Sequence, residues 1–220
     1  MNNKTEVEDF IKEQIVKWRN YKGEHIPVIT IAHEPGSGGR QIAFELAKAC
    51  GFNLYDSILM DAIAASADVS TQVVESVEKA RLDGIQEFIA MLVEEHHLSP
   101  SDYLKYLMSV LMVIADHGHA VIVGRGGNFI IPPEKRLSVF TIAPLEQRVE
   151  NVAAMHNVSA KEARRRIVQR EGTRAAFIKQ SFNADWYSPK HYDLVINTEH
   201  LTIERAVKTI LGAFGEMTQQ

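Results

Sequence analysis

The stretch HEPGSGGRQIAFELAKACG, residues 33–51, sets four small residues, Gly36, Ser37, Gly38 and Gly39, just ahead of Arg40 and Gln41 and an amphipathic run. A short apolar segment, PVITIA at 27–32, precedes it. Strand, glycine-rich turn and helix in that order make a ready anion site, because the turn amides point inward and the helix start adds about half a positive charge. The usual phosphate loop reads G-x-x-x-x-G-K-[ST], with lysine on the outer phosphates and the hydroxyl on magnesium. Here the lysine is missing. Setting Arg40 on the lysine position puts Glu34 where the first glycine belongs. Setting Gly39 there keeps Gly36-Ser37-Gly38 in step and puts His33 at the first glycine. In that second register Arg40 takes the hydroxyl slot, where a permanently charged fork can grip two phosphate oxygens. A tight turn with no ligand is the competing reading of the same residues.

Further along, VGRGG at 123–127 places Arg125 after an apolar run. Arg164, Arg165, Arg166 and Arg170 share one helical pattern, with Arg174 just beyond; Arg166 and Arg170 are four apart on one face. They are either a solvated face or a set of phosphate ligands. Asp56 and Ser57 follow a short strand signal and either face the same pocket or cap the next helix. The pairs His96-His97 and His117/His119 lack nearby cysteines and an i, i+4 ligand pairing, which argues against a metal centre. Ser37, Gln41 and Asp56 remain the candidates for holding magnesium, and the sequence does not choose among them.

Five segments rich in β-branched residues must position these groups: 27–32, 52–56, 119–124, 136–143 and 192–198. Each is short and nearly continuously apolar, as strands buried on both faces of a parallel sheet are. Helical patterns alternate with them, which predicts an α/β architecture. The helix after the glycine-rich turn sets Ile42, Leu46, Ala49 and Cys50 on one face, with Gly51 as its stop, so Cys50 reads as a core residue. Residues 59–118 are helical throughout and read as an insertion. In it Ser70 is expected to cap one helix, Ile85, Phe88, Ile89, Leu92 and Val93 form a second stripe, and SPSD caps a third through Ser99. SAKE at 159–162 is a capping box opening the arginine helix. Residues 1–24 form an amphipathic arm that packs on the core or on a second subunit, and 25–215 form the main domain.

Composition limits the function classes. In 220 residues, 45% are hydrophobic and 24% charged, ordinary for a soluble globular protein. A formal charge of −4 argues against a broad nucleic-acid surface. No apolar run approaches the roughly 20 residues a membrane span needs, no basic-then-apolar leader opens the chain, and the lone cysteine fits a reducing compartment. A cytoplasmic location is expected.

From Gly36 onward the chain resembles bacterial cytidylate kinases, whose loop reads G-S-G-K-G-T and whose next strand ends in Asp-Ser. ITIAHEPGSGGRQIAFELA, VIVGRGGNFI and YDLVINT resemble more closely the cytidylate kinase-like branch of P-loop kinases, in which the loop carries G-S-G-G-R. The resemblance spans about residues 28–210. It implies a three-layer P-loop kinase fold: a five-stranded parallel sheet, a helical acceptor-binding insertion over 59–118 and an arginine-bearing lid over 159–190. It also implies phosphoryl transfer from ATP, with Mg2+, to a nucleoside monophosphate, cytidylate first. By that resemblance Gly36, Ser37, Gly38, Gly39, Arg40 and Gln41 hold the ATP phosphates. Asp56, Ser57 and Arg125 serve the acceptor, and Arg40, Arg170 and Arg174 screen the transferring group. The chain departs from the branch at His33, usually arginine-like, and at EGTR (171–174), where the branch has D-R-A-R. A nucleotide sensor without catalysis and a kinase for another small acceptor are the alternatives.

Overall fold

The computed structural model describes residues 4–20, 26–77, 79–95 and 101–218. Five strands form one sheet, all parallel, in the order β2-β3-β1-β4-β5: β1 is Val28–His33, β2 Asn53–Tyr55, β3 Ala120–Val123, β4 Arg136–Ile142 and β5 Leu194–Asn197. All five expected segments are strands, shorter or shifted by a residue or two at their ends. β1 sits at the centre, buried from Val28 to Ile31, and lies between β3 and β4. The strand order reverses about it, and ligands of open α/β sheets bind beyond the carboxyl ends at such a point.

The helices are α1 (Lys4–Asn20), α2 (Gly39–Cys50), α3 (Ser57–Ala64), α4 (Ala67–Val74), α5 (Lys79–Glu95), α6 (Asp102–His117), α7 (Gly127–Ile130), α8 (Leu145–His156), α9 (Ala160–Phe182) and α10 (Ile203–Thr218). Two cores lie on the two faces of the sheet. One packs Ile42 and Leu46 of α2 and Ile210 and Phe214 of α10 against Ile29, Ile31, Val121 and Val139. The other is larger and gathers α3 to α6 with Tyr55, Ile122, Phe140, Phe182 and Trp186. The helical block 59–118 therefore shares its core with the sheet, and α6 is its keystone: Leu107, Met108, Val110, Leu111 and Val113 are all fully buried. Leu104 and Ile114 are inside as well, so burial extends well around the helix. α1 lays Val7, Ile11 and Ile15 on this same core, with Phe10 edge-on to Tyr55 and Trp18 stacked on His117 at 4.4 Å. The arm packs on its own chain.

Several local expectations are corrected. Ser70 is inside α4 and buried, donating to the Ile63 carbonyl (2.8 Å), while Ser66 caps that helix. Ser101, not Ser99, caps α6 by accepting from Leu104 N; Ser99 and Pro100, with His96 and His97, lie outside the described residues. Ser159 caps α9 as expected, yet Glu162 does not return the bond and pairs with Arg165 and Arg166 instead. On α2 the buried small residues are Ala43 and Ala47. Ala49 is exposed, and Cys50 is half-buried, its thiol pushed up in pKa by burial.

Candidate active site

The turn between β1 and α2 is built by its carbonyls. The Glu34 carbonyl accepts from Ser37 N (3.1 Å) and Ser37 Oγ (2.9 Å). The Gly36 carbonyl accepts from Asn151 Nδ2 of α8 (2.8 Å), and the Ser37 carbonyl from Thr198 Oγ1 after β5 (2.9 Å). The Gly38 carbonyl takes the first helical bond, from Ile42 N (3.0 Å). With the acceptors tied back, the donors are left over. Gly38 caps α2 with no side-chain acceptor, and the amides of Gly39, Arg40 and Gln41 occupy the first helical turn, where no intrahelical partner exists. Among the described residues no hydrogen bond engages the Gly36 or Gly38 amide either. A tied-back turn with an unfilled donor set is an anion cradle by geometry.

Two glycines are fixed by close approach. A Cβ on Gly36, which has φ 88°, would meet the Arg148 carbonyl oxygen at 2.5 Å. A Cβ on Gly39 would meet His33 Cβ at 2.3 Å and Thr141 Oγ1 at 2.5 Å. The lysine position is therefore occupied by a neighbour: His33, at the end of β1, fills the space a longer residue would need. Burial and the nearby guanidiniums of Arg174, Arg40 and Arg170 hold the imidazole far below its usual range, at about 3. Its Nδ1 lies 3.1 Å from the Glu34 carbonyl, which can only accept, so the neutral ring carries its proton there.

Beside the turn opens a cavity of about 940 Å³, whose lining includes Arg40, Arg125, Arg165, Arg166, Arg170 and Arg174. Ser57, Ile58, Asp61, Tyr103, Asn128 and Phe129 form much of the rest. Six guanidiniums against one carboxylate on the wall favour an anionic ligand strongly. Arg40 is exposed and donates to Asp56 Oδ2 (2.9 Å). Asp56 does double duty, because its Oδ1 caps α3 by accepting from Ile58 N and Leu59 N. Arg125 has φ 54°, between Gly124 and Gly126 at 74° and 70°, a left-handed backbone that an arginine adopts rarely. It pairs with Asp61, whose other oxygen accepts from Tyr103 Oη at 2.6 Å. Burial, and then that bond, raise the Tyr103 pKa.

α9 runs unbroken for 23 residues, so Arg166, Arg170 and Arg174 fall on one face. Arg174 donates to the His33 carbonyl and lies over the Trp186 ring, 5.0 Å from its centroid. Gly172, two residues from each of Arg170 and Arg174, points to the opposite side of the helix and is exposed. The arginine missing from EGTR is therefore absent from the solvent face, not from the cavity. Of the expected residues, Arg40, Ser57, Arg125, Arg170 and Arg174 converge on the cavity wall. Asp56 stands behind Arg40, Gln41 is exposed, and the Ser37 hydroxyl is buried against Thr141, 2.9 Å from its Oγ1. Asp193 is a structural staple, accepting from Ser138 N and Oγ across β4 and β5. Among the described residues no group of three or more His, Cys, Asp or Glu could hold a metal ion.

A model of the cytidylate kinase-like family matches residues 28–200. The chain belongs to the cytidylate kinase-like family. The cytidylate kinase of Ignicoccus hospitalis is 25% identical over 183 residues, spanning 83% of this chain and 96% of its own. That of Pyrobaculum aerophilum is 26% identical over 184 residues, or 84% and 90%. In structure, an uncharacterized protein from Eubacterium ventriosum superposes with a TM-score of 0.69 at 20% identity, covering 88% of this chain and 99% of that one. A gluconokinase from Sinorhizobium meliloti shares the fold at a TM-score of 0.51 and 12% identity, covering 90% and 96%.

Within this cytidylate kinase-like frame, the residues that sequence reasoning missed are those that tie the turn: Thr141, Arg148, Asn151 and Thr198. Arg148 is the one charged residue among these four and is buried, 3.3 Å from Glu34 Oε2 and 2.5 Å from Glu171 Oε1. Its neighbours in sequence, LEQRVENV, read only as an amphipathic helix. No helix among the described residues is long and apolar enough to cross a membrane.

Proposed function

We propose that this chain transfers the γ-phosphoryl group of ATP to a nucleoside monophosphate, with cytidylate as the first acceptor. The observation that carries the reading is the turn at 34–38, its carbonyls anchored and its Gly36 and Gly38 amides engaging no acceptor among the described residues, opening beside an arginine-walled cavity. Family membership and the named cytidylate kinases among its relatives support the same reaction class.

Phosphoryl transfer asks the protein mainly for positioning and charge. The amides of Gly36 and of Gly38 to Gln41 hold the donor phosphates at the α2 start. Arg40, next to them, exchanges Asp56 for phosphate oxygens and grips two at once. Arg170 and Arg174 approach from α9 and screen charge on the transferring group. Arg125 leaves Asp61 for the acceptor phosphate, and Ser57 and Asp61 stand where the acceptor body lies. Both carboxylates thus keep an arginine oriented until an anion arrives.

Among the described residues the side chains form no cluster of carboxylates or histidines fit for magnesium. Arg40 takes the hydroxyl slot, the Ser37 hydroxyl is buried, and Asp56 is engaged on both oxygens. Magnesium enters with ATP as part of the substrate, as it commonly does in such sites.

A coupled assay over the common nucleoside monophosphates, with ATP and magnesium, tests the proposal; no turnover with any acceptor removes it. In the same assay Arg40→Ala should lower kcat by about a hundredfold, or roughly 3 kcal/mol, as loss of a transition-state donor does. The closed lysine position favours one second reading, a nucleotide sensor that binds without transfer. Calorimetric ATP binding in the absence of any turnover would support it, and measured turnover excludes it.

A further inference from the structure

Two carboxylates near a polyanion site, one buried and one partly buried, need a reason. Glu34 lies under the turn and Glu171 lies on the inner side of α9, each no more than a fifth exposed at its side chain. The guanidinium between them is Arg148 of α8, itself 6% exposed. Its Nε donates to the Ala143 carbonyl (2.9 Å) and lies 3.3 Å from Glu34 Oε2, while Nη1 reaches Glu171 Oε1 at 2.5 Å. Glu34 Oε2 also accepts from Ala143 N (3.0 Å), so the β4 end is part of the same knot. The Arg148 backbone is the surface against which Gly36 is pressed, and Asn151, one turn on, holds the Gly36 carbonyl. One arginine thus touches the turn below and the lid helix above.

We infer that Arg148 is a positioning residue for the transfer reaction, coupling the phosphate turn through Glu34 to the arginine helix through Glu171. Glu171 lies one residue from Arg170 and three from Arg174 on α9, so fixing it sets the rotation and height of both arginines over the turn. Burial of the triad serves register: a salt bridge of this kind contributes little net stability against an apolar substitute, but it selects one arrangement. A fork is required, since a lysine ammonium is a point charge and cannot hold two carboxylates in fixed directions.

The inference rests on the proposed transfer, so its test has a readout that does not. Arg148→Ala strands two carboxylates and is expected to unfold the chain. The decisive variant is Glu171→Gln. If Arg148 couples turn to lid, kcat falls by about tenfold or more, as small misplacements do, while affinity for a nonhydrolysable ATP analogue moves by less than about threefold. If Glu171 acts only as a nearby negative charge, removing it tightens analogue binding and leaves kcat unchanged or raised. That result overturns the inference. Amide hydrogen exchange in the absence of nucleotide should rise together in 34–38 and in 160–182 for Glu171→Gln. Unchanged exchange in 34–38 also overturns it, whether or not the wild type turns over. Arg164→Ala breaks the exposed bond to Glu146, 2.6 Å, between the same two helices, and should leave both readouts alone. Arg148→Lys, which keeps the charge, should reproduce the kcat loss of Glu171→Gln; full activity in it counts against the fork.

Discussion

At the scale of single residues, the absence of a lysine from the turn is a matter of space. Gly39 has no room for a Cβ, because His33 and Thr141 already stand there. Installing the lysine of the usual phosphate loop with Gly39→Lys should therefore lose activity and destabilise the chain by about 1–3 kcal/mol through overpacking. Thermal melts and the coupled assay check this together; a gain in kcat would show that the position is open. The small residues and Arg40 were legible in the sequence because a turn, its glycines and its helix are contiguous. The tethers were not. Thr198 reaches the Ser37 carbonyl across 161 residues and Asn151 the Gly36 carbonyl across 115. Neither a lone threonine nor a lone asparagine carries a local signal, and only the parallel packing of β4 and β5 beside β1 brings them home.

At the scale of elements, α9 gathers the arginines because it continues past Gly172, where composition alone invites a break. Nothing lies within 4 Å of a Cβ built there, and Gly172 is exposed in mid-helix. Gly172→Ala should thus stabilise the chain by about 1 kcal/mol, raising Tm by roughly 2–4 °C for a chain of this size. A melt that fails to rise would mean that α9 is not helical there in solution. Helix and strand identities were readable from periodicity and β-branched runs. Caps were read less well, since Ser66 and Ser70, or Ser99 and Ser101, offer the same hydroxyl about one turn apart in sequence. Ser70 is fully buried and so donates inward, which leaves the cap to Ser66.

At the scale of the molecule, one core on each sheet face supports a single cavity edge, and the N-terminal helix belongs to that structure. Two imidazoles are held neutral: His117, stacked on Trp18 against the larger core, at about 4 by burial, and His33 beside the turn at about 3 by burial and the nearby arginines. Both protonate near 6.5 when unfolded, so below that pH the unfolded chain holds more protons than the folded one. Stability should then fall as pH drops from about 6.5 toward 3–4, by up to about 1.4 kcal/mol per pH unit for each histidine. Urea titrations at several pH values measure the slope, which should be shallower in His117→Gln. The chain has two tryptophans, both against the larger core: Trp18 on the α1 arm, Trp186 under the Arg174 guanidinium. A cation resting on an indole perturbs its excited state, so with Trp18→Phe a single tryptophan remains, and it lines the cavity. Its emission should shift as incoming phosphate draws the guanidinium off the ring, giving the protein a built-in optical gauge of occupancy that needs no label and no turnover.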